Sequence, residues 1–256
     1  MAVKKTFDDA LSKNEVILDL EGGKTTSRFL GLAALCSILG ALTTIILIFL
    51  HSKATADFDS EMRLHENLPY ILKSWTLFFH SQLNFIAFLG ISCLFVRKYP
   101  FHICIAGIFF FIWTYTEMSQ QAFLIDALNQ FWRPAYMSAL DSNSKSTFYT
   151  LIEGAKGISD SYYFIVIYSF GMGALVSGMA LYKERGLAKA IGAASIFIGC
   201  LSLSVFLGHY LSLNQLSIVV SWGYEYIYPI LQPATRIAIA WYLYQSAIRI
   251  ESETAE

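Results

Sequence analysis

Six long apolar runs constrain the fold of this 256-residue chain more than any other feature of its sequence. A hydrocarbon core about 30 Å thick is crossed by about 20 apolar residues in an α-helix. Runs of this length occupy positions 29–50, 74–96, 101–125, 161–182, 189–211 and 217–247. Backbone N–H and C=O groups in lipid must bond within the protein, which favours helices there. The sequence therefore predicts an all-α, polytopic integral membrane helical bundle with about six transmembrane helices.

The composition agrees with a chain whose main partner is the lipid bilayer. Hydrophobic residues make up 55% of the chain and charged residues only 14%, whereas soluble domains carry about 25% charged residues. The mean hydropathy is +0.50. A net charge of −1 gives no basic field of the kind that nucleic-acid binding requires. We therefore expect no nucleic-acid partner.

Three regions follow from the placement of the polar residues. Residues 1–28 are polar and of mixed charge, and they lack the early apolar region of a signal peptide. We interpret them as a cytoplasmic tail with a short helix over 8–18. A six-helix membrane domain is predicted over 29–248, followed by a cytoplasmic tail over 249–256. In the last run, Pro229 and Pro233 are expected to break the helix and leave 217–228 as a shorter interfacial or tilted piece.

Lys and Arg predict the orientation of the bundle, because cytoplasmic loops are enriched in them. Eleven of the 18 Lys and Arg residues lie in the N-terminal tail, in the two short turns near 97–98 and 183–189, and at Arg249. The opposite loops, 51–73 and 126–160, carry six. Both termini are therefore predicted to be cytoplasmic.

The two outer segments, 51–73 and 126–160, are too apolar to be simple linkers. The first has apolar residues at loosely helical spacing, and the second has aromatic pairs at Phe131–Trp132 and Phe148–Tyr149. Interfacial amphipathic helices would show this pattern. A cap over the outer mouth of the bundle is the alternative.

Residues 100–247 share a pattern with a known group of membrane proteins. One span ends in a Glu at 113–117, and the acidic residue Asp160 comes before the next span. A glycine-rich span with a short basic turn follows at 171–196, and Pro233 then precedes the pair Ala240 and Trp241. In this pattern, residues 100–247 resemble the bacterial domain-of-unknown-function family 4386. The resemblance implies a six-helix membrane fold in a bacterial inner membrane and no assigned activity.

Glu117 and Arg236 are the ionisable residues that lie deepest in the apolar runs. A charge at the bilayer centre costs roughly 2.5–3.5 kcal/mol on insertion scales, so such residues are usually paired or functional. Gln121 shares a helix face with Glu117, and Gln232 shares one with Arg236, since each pair is four residues apart. We expect Glu117 and Arg236 to pair. The pair would either fix the helix register as a buried salt bridge or line an outward-opening cavity for an anionic or hydrogen-bonding ligand head.

Three further ionisable residues fall nearer the outer end of the bundle. Asp160, His209 and Glu225 are predicted to form a polar outer rim.

His80 and His209 lie in different spans, where two imidazoles either bind a haem or are hydrogen-bonded structural residues. No HxxxH spacing and no CxxC pair occurs in the sequence. No metal site is therefore predicted.

Small residues predict which spans pack closely. Gly171, Gly173 and Gly178 lie in the fourth span, and Gly192 and Gly199 lie in the fifth. Because small residues let helices approach in lipid, we expect the fourth span to pack on the fifth. A helix of another chain is the alternative partner.

The leading hypothesis is a membrane protein with a polar pocket open to the outer side. It would bind a small-molecule or lipid-like ligand there, or act as an accessory subunit of a membrane complex. Its candidate pocket residues are Glu117, Gln121, Asp160, His209, Glu225, Gln232 and Arg236. No catalytic residue and no cofactor is assigned. The alternative is an intramembrane enzyme or haem protein that uses His209, Asp160 and Glu117. A small transporter is less favoured, since the chain shows no internal repeat and no pair of broken helices.

Overall fold

Helices account for nearly all of the backbone in the computed structural model, which describes residues 2–50, 57–211 and 217–255. The α-helices in these ranges are α1 (Ala2–Phe49), α2 (Phe58–Met62), α3 (Leu68–Phe95), α4 (Pro100–Phe123), α5 (Arg133–Ser138), α6 (Ser142–Leu181), α7 (Gly186–Tyr210), α8 (Ser217–Trp222) and α9 (Tyr228–Ala255). A 3₁₀ turn (Arg63–Glu66) and two π-helical segments (Leu124–Trp132 and Gly223–Ile227) join some of them.

Within the described residues, five helical stretches are long and apolar enough to cross a membrane. They are Gly22–Phe49, Leu68–Phe95, Pro100–Ser138, Ser142–Leu181 and Gly186–Tyr210. This confirms the predicted all-α bundle and the multi-pass membrane character of the chain. The third stretch runs from α4 through the π-helical segment into α5, so it extends well past the predicted boundary at residue 125.

The sixth long helix, α9, joins the bundle mainly by packing along α1. Two α1 hydroxyls donate to α9 carbonyls: Ser37 Oγ to Arg236 O at 2.7 Å and Ser27 Oγ to Ala247 O at 3.1 Å. Leu243 of α9 is completely buried. Because α9 also carries buried Gln232 and Arg236, it is less apolar than the other five and depends on neighbouring helices for its polar contacts.

The prediction that Pro229 and Pro233 break the last helix is wrong. The chain is helical from Ser217 to Ala255, with the π-helical turn Gly223–Ile227 directly before α9 and Pro233 inside it. Prolines are tolerated in membrane helices when a local π adjustment bonds the freed backbone groups. Residues 217–228 are therefore the first turns of one long helix.

The N-terminal region also differs from the expected separate short helix. The backbone over 8–18 is helical, but it is continuous with the first span, and α1 runs for 48 residues.

One end of the bundle, here called the turn end, carries the two short basic turns at 96–99 and 182–185. Lys98 Nζ lies 2.6 Å from Glu184 Oε1 and ties the two turns together. The hydrogen bond from Lys98 lowers the pKa of Glu184, and the same bond raises the pKa of Lys98. Gly23 of α1 and Thr254 of α9 also lie in contact. These positions near the two chain ends belong to a single packed pair of helices.

The opposite end, here called the capped end, is covered by the two outer segments. Met62, Leu128, Ile152 and Ala155 form a second apolar core there. Buried Arg133 is held against it: its guanidinium donates to Asn129 Oδ1 at 2.5 Å and lies 5.3 Å from the centre of the Tyr70 ring. The described parts of the outer segments thus pack on each other as a cap. Positions 51–56 of the first segment lie outside the described residues.

The predicted packing of the fourth span on the fifth is confirmed in α6 and α7. A Cβ at Gly199 would lie 2.6 Å from the Leu175 backbone nitrogen and 2.8 Å from the Gly171 carbonyl oxygen. Such distances leave room only for hydrogen, so glycine is required for this close approach.

Candidate functional site

A cavity of about 490 Å³ lies in the half of the bundle next to the capped end. Helices α1, α3, α4, α6, α7 and α9 and the π-helical turn before α9 all contribute to its wall. Its lining residues are Thr44, Leu47, Ile48, Leu77, His80, Trp113, Glu117, Tyr163, Val166, Ile167, Phe170, Ser202, Tyr224, Glu225, Tyr228, Pro229 and Gln232. We call it the large cavity.

Glu117 is the buried acidic residue of the large cavity, with 7% of its surface exposed. Gln121 Nε2 donates to Glu117 Oε1 at 3.3 Å, and the Trp113 indole N–H also points toward this carboxyl group. Both donors are neutral. The ion pairs among the described residues do not include Glu117. Among the described residues, no countercharge therefore holds this carboxyl group in place.

Arg236 does not pair with Glu117, contrary to the sequence prediction. Its Nη1 donates to the Gly40 carbonyl oxygen at 3.1 Å and contacts His80 Nε2 at 3.2 Å. Arginine can only donate, so His80 Nε2 accepts and the ring proton is on Nδ1. That nitrogen lies 2.7 Å from Thr43 Oγ1. Arg236 is thus directed toward α1 and α3, whereas Glu117 on α4 faces the large cavity.

A smaller cavity of about 100 Å³ continues from the large one toward the middle of the bundle. The two cavities share Trp113, Phe170 and Gln232. Arg236 and Asn84 line the smaller one together with apolar residues of α3, α4, α6 and α7. The buried cation and the buried carboxylate therefore belong to adjacent chambers, separated by the three shared side chains.

Aromatic side chains form much of the wall around Glu117. The rings of Tyr224 and Tyr228 are stacked at 4.6 Å, and those of Trp113 and Phe170 lie 5.0 Å apart. Tyr224 Oη also lies 3.2 Å from Ser202 Oγ, which links the π-helical turn to α7. The wall is thus apolar on its ring faces and polar at its hydroxyl groups.

The predicted site residues divide into two groups. Glu117, Glu225 and Gln232 line the large cavity, Gln121 supports Glu117 from the next turn of the helix, and Arg236 lines the smaller cavity. Glu225 is exposed and lies in the π-helical turn, at the edge of the cavity.

Asp160 and His209 are placed elsewhere. Asp160 is exposed, and its carbonyl oxygen accepts from Tyr210 Oη at 3.4 Å. His209 is exposed at the end of α7, with its ring 4.6 Å from that of Tyr210. Neither residue lines the large cavity, so the expected rim of Asp160, His209 and Glu225 does not surround it. His80 and His209 likewise share no cavity, and both ring nitrogens of His80 have partners within the protein.

The pocket residues proposed from the sequence do not include the tyrosines of the large cavity, Tyr163, Tyr224 and Tyr228. A signal was present, because Tyr224, Tyr228, Gln232 and Arg236 follow each other at intervals of four residues. That spacing places side chains along one face of a helix. Tyr163 had no comparable signal, since its place in the wall depends on how α6 packs against α4 and α7.

Comparisons of the chain with protein-family models, with curated proteins and with solved structures found no match.

Proposed function

We propose that this membrane protein binds a small or lipid-like molecule in the large cavity, either alone or as an accessory subunit of a membrane complex. The observation that supports it is a cavity of about 490 Å³ whose wall is mostly apolar but holds a buried carboxyl group, with no countercharge to it in the part of the chain that the structure describes. Ligand sites are typically clefts of about 300–1,000 Å³ with an apolar lining and a few placed polar groups.

The orientation of the site is also part of the proposal. The basic residues of the turn end favour a cytoplasmic position for that end, and the capped end with its large cavity is then on the outer side. Membership of the domain-of-unknown-function family 4386, and with it a bacterial inner membrane, is proposed from the sequence pattern alone.

A binding role is better supported than the alternative of acid–base or haem chemistry. The three residues considered for catalysis were His209, Asp160 and Glu117. Only Glu117 lines the large cavity, and the other two are exposed. Acid–base catalysis requires the groups to reach one substrate, and this arrangement separates them.

Two leucines of α3 provide a matched test. Leu77 lines the large cavity, whereas Leu89 is an exposed residue of the same helix. Leu77→Trp should fill part of the cavity and reduce the ligand that co-purifies with the protein from native membranes, measured by native mass spectrometry. Leu89→Trp should retain the wild-type ligand content. Equal ligand content in the two variants, or a wild-type protein that carries no ligand, would contradict the proposal.

A further inference from the structure

We infer that the large cavity binds a positively charged, substituted ammonium group that carries an apolar chain. This inference rests on the proposed binding function and specifies the class of its ligand.

The first argument is the sign of the charge in the large cavity. Glu117 and Glu225 both line it, and neither Lys nor Arg occurs among the described residues of its wall. Burial of a carboxylate is unfavourable unless a countercharge or several hydrogen bonds compensate it. The neutral donors of Gln121 and Trp113 supply hydrogen bonds but no charge. A cationic ligand would supply the missing charge.

The second argument is the aromatic wall. Trp113, Tyr163, Phe170, Tyr224 and Tyr228 all line the same cavity as Glu117. The faces of aromatic rings carry negative electrostatic potential and attract cations, and aromatic cages of this kind bind quaternary ammonium groups. An anionic head would meet two carboxylates and these ring faces, so the wall selects against it.

Arg236 does not change this conclusion, although the sequence made it the natural anchor for an anion. Its Nη1 is bonded to Gly40 and His80. It lines the smaller cavity of about 100 Å³ and not the large one. The positive charge thus lies behind His80, which separates it from the large cavity, and not at the cavity wall itself.

The apolar part of the wall accounts for the chain of the ligand. Leu47, Ile48, Leu77, Val166 and Ile167 lie in the same lining as the carboxylates and rings. Apolar surface of this kind favours an alkyl group. The ligand is therefore an amphiphilic amine, either a free alkylammonium compound or a lipid with a choline-type head group.

Choline and its uncharged isostere, 3,3-dimethyl-1-butanol, test the charge directly. Titration of the full-length protein in phosphatidylglycerol nanodiscs, followed by calorimetry, should give choline at least about tenfold tighter binding than the isostere. Glu117→Gln should reduce this preference severalfold while leaving isostere binding unchanged, since the ring faces and Glu225 remain. The control Glu251→Gln changes an exposed glutamate at the far end of α9 and should have no effect.

Tyr163 gives a second test that does not depend on the carboxyl group. Tyr163→Phe retains the ring face and should retain choline affinity, whereas Tyr163→Leu should reduce it severalfold. Equal binding of choline and the isostere, with no effect of Glu117→Gln, overturns the cationic head and leaves the binding function intact. Choline binding that Leu77→Trp does not weaken overturns the assignment to this cavity.

The source of the ammonium group is resolved by changing the nanodisc lipid. If, at an ionic strength that screens the charge of the lipid surface, phosphatidylcholine nanodiscs weaken the binding of free choline to the wild-type protein, a lipid head group occupies the site. Undiminished binding of choline in these nanodiscs assigns the site to a free amine.

Discussion

At the scale of single residues, Arg236 is held by a chain of hydrogen bonds rather than by an opposite charge. Arg236 donates to His80, the His80 Nδ1 proton faces Thr43, and Thr43 Oγ1 donates to the Gly40 carbonyl oxygen at 3.0 Å. A Cβ at position 40 would lie 2.5 Å from Asn84 Oδ1 and 3.4 Å from Arg236 Nη1. A side chain at position 40 would therefore displace the Asn84 amide and press on the arginine that bonds to this carbonyl group.

Arg236→Leu should destabilise the protein by about 1.5–3 kcal/mol, because it removes a charged hydrogen-bond donor and leaves the buried His80 Nε2 without its partner. The measurement is the free energy of unfolding in detergent micelles with increasing denaturant. Arg249→Leu, at an exposed position of the same helix, should change it far less. In a double-mutant cycle with His80→Leu, a coupling energy near zero between positions 80 and 236 would show that the observed contact contributes nothing.

At the scale of elements, the small residues of α6 and α7 allow two helix backbones to touch. Gly178 and Gly199 each face backbone atoms of the other helix, and no larger side chain fits at either position without moving the helices apart. Membrane helices associate through such close packing, because lipid surrounds them with material as apolar as their own side chains.

Gly199→Leu should destabilise the bundle by about 1–3 kcal/mol or more, the range for inserting a side chain into a packed interior. Gly208 provides the control in the same helix, since a Cβ there meets nothing within 4 Å. Thermal midpoints of the two variants in one detergent are the measurement. If Gly208→Leu is as destabilising as Gly199→Leu, the loss does not come from the contact between α6 and α7, since leucine is the better helix former at both positions.

At the scale of the whole molecule, the two ends of the bundle are built for different tasks. The turn end is short and tied by the Lys98–Glu184 ion pair, while the capped end has its own apolar core and lies next to the large cavity. Glu61 of the cap lies 2.9 Å from Lys156 and 3.8 Å from Arg133. The cap is therefore joined to α6 by ion pairs as well as by apolar contacts.

Orientation in the membrane can be measured with single cysteines in a cysteine-free variant. Asn143 is exposed near the cap, and Ser252 is exposed near the end of α9. Because Lys and Arg concentrate at the turn end, we expect Asn143→Cys to react with a membrane-impermeant maleimide in intact spheroplasts. Ser252→Cys should react only after permeabilisation. The reverse labelling pattern would place the large cavity on the cytoplasmic side.

The sequence by itself determined the fold class, the apolar centres of the spans and the contact between α6 and α7, but not that the third and fourth spans extend as helix through most of 126–160. These follow from local properties: the length of an apolar run needed to cross lipid, and the small residues that permit close helix contact. It also determined which polar residues are buried within the bundle, since Glu117, Gln121, Gln232 and Arg236 are all buried in the structure.

Only the tertiary structure decided what those residues contact. Sequence spacing indicates which residues share a face of one helix, but the rotation of each helix about its axis depends on all of the helices that pack against it. That rotation directs Arg236 to His80 and Gly40 instead of Glu117, and leaves Asp160 and His209 exposed. It also brings Tyr163 into the wall that holds Glu117. The charge of the large cavity is therefore a property of the packed bundle and not of any single span.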